Sequence, residues 1–292
     1  MPGWILAIAA MFSVQLGSAL SLHAISALGP AGTAWLRLTA GAAIFLLMER
    51  PSLRSFNRHD GPMLIGLGVT TGVQTIAFLA AIQRIPLGTA VAIEFLGPMS
   101  VAALHSHSPK TLPWVGTAGI GVVLVTEPWH GPVNWAGVAF AAIAAVGWAA
   151  YIVLTTRVGN RFSGLTGLAL TIPVAACAAG IVGIPQAAGH LTFELVAIGV
   201  ALAVLLPVLP YSFELLALRR MTPTAFGTLM ALEPAIGVVL GLVVLHQHLS
   251  PIQVTGILLV VLAGAAAQLG EPGLPSADGD SDAQPSTGPV PF

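Results

Sequence analysis

Four ionisable side chains, Arg37, Glu94, Glu214 and Glu233, stand inside long apolar runs of this 292-residue sequence. A charge at the centre of a membrane-spanning helix costs roughly 2.5–3.5 kcal/mol on insertion scales, so such groups are paired or functional. Glu94 and Glu233 fall near the middle of their runs, out of reach of any interface. Arg37 and Glu214 fall about one turn from the ends of theirs, where a long side chain can reach back to headgroups. Glu94 belongs to Glu94-Phe95-Leu96-Gly97-Pro98 and Glu233 to Glu233-Pro234. A proline frees the carbonyl about four residues earlier, which for Pro98 is that of Glu94 itself. A carboxylate beside a free carbonyl suits a cation or an ammonium group. The plainer reading of each Glu is a neutral side chain hydrogen-bonded to a neighbouring helix. Burial disfavours the charged form of a carboxylate, which makes both of them candidates to carry a proton.

Further polar groups in the runs are Gln15, Ser18, Ser21, His23, Gln74, Thr75, Trp148, Tyr151, Tyr211 and Ser212. Gln15, Ser18 and Ser21 share a helix face at i, i+3, i+6 spacing. Each such group either ties helices together, at roughly 0.6 kcal/mol per hydrogen bond, or lines a cavity. The candidate substrate set is therefore Glu94, Arg37, Glu233, Tyr211, Gln15, Gln74, Trp148 and Tyr151, with Glu94 and Glu233 as the candidates for proton coupling. His105/His107 and His246/His248 have i, i+2 spacing without a Cys or carboxylate beside them, so they read as solvated loop groups and no metal site is expected. The chain has no Gly-x-x-x-x-Gly-Lys-Ser/Thr loop, no Gly-x-Ser-x-Gly elbow and no His-Glu-x-x-His motif. No cofactor is expected, and a membrane-embedded enzyme lacks its nucleophile–base or metal set. The net charge of −1 argues against a nucleic-acid partner. The single cysteine, Cys177, lies in an apolar run and reads as a packing residue.

The elements that position these groups follow from composition. Hydrophobic residues make up 56% of the chain and charged residues 7%, against about 25% charged in soluble domains. A chain this apolar has lipid as its solvent and partner. Ten runs have the length of a membrane span, at 4–27, 32–48, 62–82, 87–104, 112–127, 134–156, 164–184, 194–218, 223–245 and 251–269. No Lys or Arg precedes the first, so it reads as a retained span rather than a signal peptide. With the N-terminus in the cytoplasm, the inner loops hold Arg50, Arg54, Arg58, Lys110, Arg157, Arg161, Arg219 and Arg220. The outer loops hold only Arg84, eight cations against one. The positive-inside rule then places both termini in the cytoplasm of a multi-pass protein of the inner (cell) membrane.

The runs also repeat. Arg84 precedes Pro98, and Arg220 precedes Pro234, by 14 residues each, an offset of 136 that also pairs Ala81 with Ala217 and Leu96 with Leu232. Gly119-Ile120 matches Gly256-Ile257 at an offset of 137. Five spans is an odd number, so the second half enters the membrane inverted, an arrangement that marks secondary transporters with sites near the midplane. The expected fold class is an all-α membrane protein of ten transmembrane helices in two inverted five-helix repeats. The expected division is 1–130 for the first repeat and 131–270 for the second. The remainder, 271–292, carries five prolines, four acidic residues and no basic one, and reads as a disordered acidic cytoplasmic tail.

Ala90-Val91-Ala92-Ile93-Glu94-Phe95-Leu96-Gly97-Pro98, Leu209-Pro210-Tyr211-Ser212-Phe213-Glu214 and Phe226-Gly227-Thr228-Leu229-Met230-Ala231-Leu232-Glu233-Pro234-Ala235 resemble the EamA family of the drug/metabolite transporter superfamily, and within it the amino-acid exporters. Trp35-Leu36-Arg37-Leu38 and Pro251-Ile252-Gln253 fit its second and last spans, and the likeness covers roughly 4–269. The resemblance implies ten spans in two EamA-like halves and export of amino acids such as threonine or homoserine, or of related metabolites. Drug or nucleotide-sugar transport is the alternative within the superfamily. Where the family usually shows Gly-Glu-x-Leu before the last span, this chain has His246-Gln247-His248-Leu249, and a carboxylate is missing.

Overall fold

A computed structural model describes residues 1–50, 60–105, 112–129, 133–162 and 165–269. The acidic tail, Arg54, Arg58, His107 and Lys110 lie outside the described residues. Among those described, the structure is all-helical and has no strand, as lipid demands of a backbone that must satisfy its own hydrogen bonds. Every apolar run expected from the sequence is helical.

The first helix, α1 (Gly3–Glu49), is 47 residues long, about twice what a bilayer needs. Its backbone breaks at Gly29, where φ is 71°, a conformation that suits glycine, and Pro30 opens the second arm. A Cβ at Gly29 would sit 2.3 Å from Cδ of Gln186. That close approach lets Gln186 Oε1 accept from the N–H groups of Ala31 (2.8 Å) and Gly32 (3.0 Å), which have no partner within their own helix. There follow α2 (Gly61–Ile82), α3 (Leu87–Glu94), α4 (Leu96–His105), α5 (Leu112–Thr126), α6 (Trp135–Arg161) and α7 (Thr166–Ala187). Next come α8 (Phe193–Ala203), a π-helical turn (Val204–Val208), α9 (Leu209–Leu218), α10 (Pro223–Met230), α11 (Glu233–Leu245) and α12 (Pro251–Leu269). Among the described residues, seven helical segments are long and apolar enough to cross a membrane, and two shorter apolar helices cover Pro113–Thr126 and Pro251–Ala267.

Small residues bring the helices together. The second arm of α1 meets α7 through Gly183, where a Cβ would lie 2.4 Å from the Ala31 carbonyl oxygen. The first arm meets the π-helical turn between α8 and α9 through Gly17 and Ser13, whose Oγ donates to the Leu205 carbonyl at 2.9 Å. Gly147 and Gly97 fit α6 against α2 and α4, and α5 crosses α12 at Gly121 and Gly256. Gly119, matched to Gly256 in the sequence, has open space around it. Cys177, read as a packing residue, is exposed on the apolar helix α7.

One end of the molecule is basic. Arg220 donates to the Met1 carbonyl there, Arg161 pairs with Asp60 at 3.2 Å, and Thr166 donates to Glu49 at 3.3 Å. The opposite, far end carries Arg84, the Gln186 contact and Ser250, whose Oγ donates to Glu127 at 2.5 Å. Towards that far end a continuous buried cluster closes the molecule, with Ile25, Leu79, Ile82, Leu87, Val91 and Leu240 at its centre.

Candidate functional site

The paired interruptions expected at Pro98 and Pro234 are present. α3 ends at Glu94 and α4 begins at Leu96, and α10 ends at Met230 while α11 begins at Glu233. Leu87 and Pro223, which open α3 and α10, lie 136 residues apart, as do Glu94 and Met230, which close them. The two breaks therefore fall at the same place in the repeat. Glu94 and Glu233 occupy different places relative to these breaks. Glu94 is the last residue before its break and Glu233 the first after its own. In the repeat register Glu94 faces Met230, and Glu233 faces Gly97.

Between these breaks lies a cavity of about 480 Å³. All eight candidate residues line it: Gln15 and Arg37 from the two arms of α1, Gln74 from α2, Glu94 from α3, Trp148 and Tyr151 from α6, Tyr211 from α9 and Glu233 from α11. Two of the polar contacts pair a Glu with a Gln. Gln74 Nε2 donates to Glu94 Oε1 at 3.3 Å, and Gln15 Nε2 donates to Glu233 Oε1 at 3.1 Å. The Tyr151 and Tyr211 hydroxyls lie 2.7 Å apart, and Trp148 meets Phe95 edge-on with centroids 6.2 Å apart. Arg37 Nη1 is buried without a hydrogen-bond partner among the described residues. The cavity thus offers one unengaged guanidinium donor and several carboxylate oxygens, a set that can grip a zwitterion at both of its charges. No group of three metal-ligating side chains occurs among the described residues.

Two residues expected near the interfaces belong to the cavity instead. Arg37 is 7% exposed, because the second arm begins at Pro30 and holds it about two turns deep. Glu214 also lines the cavity, and its position on the Tyr211 side of α9 puts it there. The π-helical turn between α8 and α9 was not expected. Leu206 is extended there (φ −152°, ψ 105°), and Leu206 and Pro207 add to the wall. The closely spaced prolines at 207 and 210 were the available signal. Thr71, unremarked in the sequence, and Phe226 and Met230, noted there only within a motif, also line the cavity.

Comparison with known proteins supplies an independent line. The EamA-like transporter family matches residues 135–266. The threonine/homoserine exporter RhtA of Escherichia coli (strain K12) is 32% identical over 281 residues, covering 92% of this chain and 93% of that one. RhtA of Salmonella typhimurium (strain LT2) is 34% identical over 263 residues, 89% of each chain. Protein PecM of Dickeya dadantii is 28% identical over 204 residues, 66% of this chain and 68% of its own. A crystal structure of another protein, 19% identical, covers 90% of this chain and 96% of that one with a TM-score of 0.60, and shares the fold.

Proposed function

The chain belongs to the EamA-like transporter family, and on that premise we propose that this membrane exporter moves small metabolites, amino acids such as threonine and homoserine, out of the cytoplasm in exchange for protons. The observation that carries the reading is the cavity: Arg37, Glu94, Glu214 and Glu233, the charges inside the apolar runs, meet around one space. A zwitterion brings one ammonium and one carboxylate. Glu94, held by Gln74, takes the ammonium, and Arg37 takes the carboxylate through its unpartnered Nη1. Glu233 is a second ammonium ligand or the proton carrier. Gln15, Trp148, Tyr151 and Tyr211 shape the rest of the space.

The proposed architecture has ten crossings. The two arms of α1 count separately, and α5 and α12 each cross once. Support for two inverted halves, 1–130 and 131–270, comes from the shared register of the two breaks and from the pairing of helices. The first arm of α1 lies on α8 and α9 as α6 lies on α2, while α5 meets α12 and the second arm meets α7 near the dividing axis. The basic end is the cytoplasmic one by the positive-inside rule, and the acidic tail 271–292 follows α12 on that side. A reporter fused after Phe292 is then active in the cytoplasm and silent in the periplasm.

The direct test uses inverted membrane vesicles energised with a proton gradient. Labelled threonine and homoserine should accumulate in vesicles containing the protein, and a protonophore should abolish accumulation. Accumulation that persists with the gradient dissipated would remove the coupling. Failure to move any amino acid would remove the substrate class.

A further inference from the structure

Glu94 and Glu233 are left sharing the ammonium and proton roles. We propose that they divide: Glu233 carries the proton as a neutral acid closed onto the side-chain amide of Gln15, and Gln15 is the positioning residue for that proton. The inference rests on the proton-coupled exporter reading above and deepens it.

Donors and acceptors do not balance between Gln15 and Glu233. Gln15 is 1% exposed and Glu233 4%. One hydrogen bond joins them, from Gln15 Nε2 to Glu233 Oε1 at 3.1 Å. The second oxygen of each group, Gln15 Oε1 and Glu233 Oε2, is buried with no hydrogen-bond partner among the described residues. An ionised carboxylate offers acceptors only, and an amide oxygen is an acceptor too. As an ion, Glu233 therefore leaves two buried acceptors facing no donor, each at the full cost of desolvation. Turning the amide over exchanges its ends without removing the mismatch. A single hydrogen on Oε2 removes it: Oε2–H donates to Gln15 Oε1 while Nε2–H donates to Oε1 of Glu233. That closed acid–amide pair satisfies both orphan oxygens at once.

The other Glu–Gln pair differs. Glu94 and Gln74 leave no buried oxygen unpartnered among the described residues, and their 3.3 Å hydrogen bond leaves Glu94 acceptor capacity for a ligand. The titratable groups that line the cavity around Glu233 are Arg37 on α1, Glu94 on α3, Tyr151 on α6, and Tyr211 and Glu214 on α9. α12 carries no titratable residue, and α11 carries none besides Glu233. None of these donates to Glu233 Oε2, so the missing donor is the acid proton itself. The pair also joins α1 to α11, elements of the two different halves. Glu233 must leave Gln15 before it can give up its proton to water, which ties proton release to movement of one half against the other.

Infrared difference spectroscopy on the full chain in lipid nanodiscs reads the proton directly. At neutral pH the wild type should show a protonated carboxylic-acid band that Glu233→Gln removes. Gln15→Met, near in volume and unable to hydrogen-bond, should keep the band and move it to higher frequency. Gln15→Met should also lower proton-driven export in proteoliposomes by about tenfold, the effect of one such hydrogen bond. A band that survives Glu233→Gln unchanged, or that Gln15→Met leaves in place, overturns the proposal even if amino acids are exported. Wild-type proteoliposomes that move no amino acid overturn the exporter reading instead, and the spectrum tells the two failures apart.

Discussion

At the far end α3 lies against α11, whereas at the basic end the corresponding helices, α4 and α10, make little contact. All eight residues of α3 are buried. A Cβ at Gly88 would stand 2.5 Å from Val238 Cγ2, and Gly237 lies against Val91 in return. Gln247 reaches across from the connection between α11 and α12, and its Oε1 accepts from the Leu87 N–H at 3.0 Å. α10 has the same length and register, yet none of its described side chains from Ala225 to Met230 is fully buried. Its first turn is capped by its own Thr222, which accepts from the Ala225 N–H at 3.2 Å. Equivalent sequence positions thus form equivalent helices with opposite packing. On the proposed inverted repeat, exchanging the two packings closes the basic end and opens the far one around the same cavity. Such a pair of alternatives is what alternating access requires.

Changing the joint between the two regions should have the largest effect. Glu94 ends α3 at the break, and Glu94→Gln keeps its size while removing the charge. Export should fall about tenfold or more at normal membrane abundance, for the loss of a charge-assisted hydrogen bond of about 1.5–3 kcal/mol. Near-normal export would return Glu94 to a packing role. Next, Gly88→Leu should wedge the far end open. Overpacking costs about 1–3 kcal/mol, a shift of roughly 5- to 150-fold. A cysteine at Val91, buried when the far end is closed, should then react with an impermeant maleimide added outside, in a Cys177→Ser background. No gain in labelling would mean that the α3–α11 contact is not a gate. The smallest effect is expected at Gln247. Gln247→Ala removes one hydrogen bond, about 0.5–1.5 kcal/mol, and should raise labelling of the same cysteine a few-fold. Gln247→Glu keeps an acceptor at the positive end of α3 and should leave labelling at the wild-type level.

The helices were legible because lipid imposes about 20 apolar residues on every crossing helix, and the apolar runs coincide with helical segments to within a few residues. The site was legible for a related reason. Polar groups are so scarce in these runs that Arg37, Glu94, Glu233, Gln15, Gln74, Tyr151 and Tyr211 stood out singly, and the fold gathers them. Hydropathy does not report which face of a helix a residue occupies, and that hid the rest. Glu214 passed for an interfacial group, and hydropathy did not show that α7 turns Cys177, read as a packing residue, outwards. The position of the breaks was hidden too. Proline marks that a helix is interrupted, but the interruption sits three residues upstream at Phe95, and Gly97, in the first turn of α4, packs so closely that a Cβ would lie 2.2 Å from the Ala145 carbonyl oxygen. Glu94 therefore ends the helix before its break, whereas Glu233 begins the helix after its own. Gln247 shows a loss the sequence made look larger than it is, since the amide supplies the acceptor that Leu87 needs.

The most direct test measures both ends of the molecule at once. Spin labels at Gln83 and His248 report on the far end, and labels at Leu104 and Ala225 on the basic end; all four side chains are exposed. Pulsed dipolar distances would be taken in proteoliposomes with and without threonine and a proton gradient. Turnover conditions should populate a second state in which the far-end distance lengthens while the basic-end distance shortens. Distances that stay fixed, or that lengthen together, would contradict it.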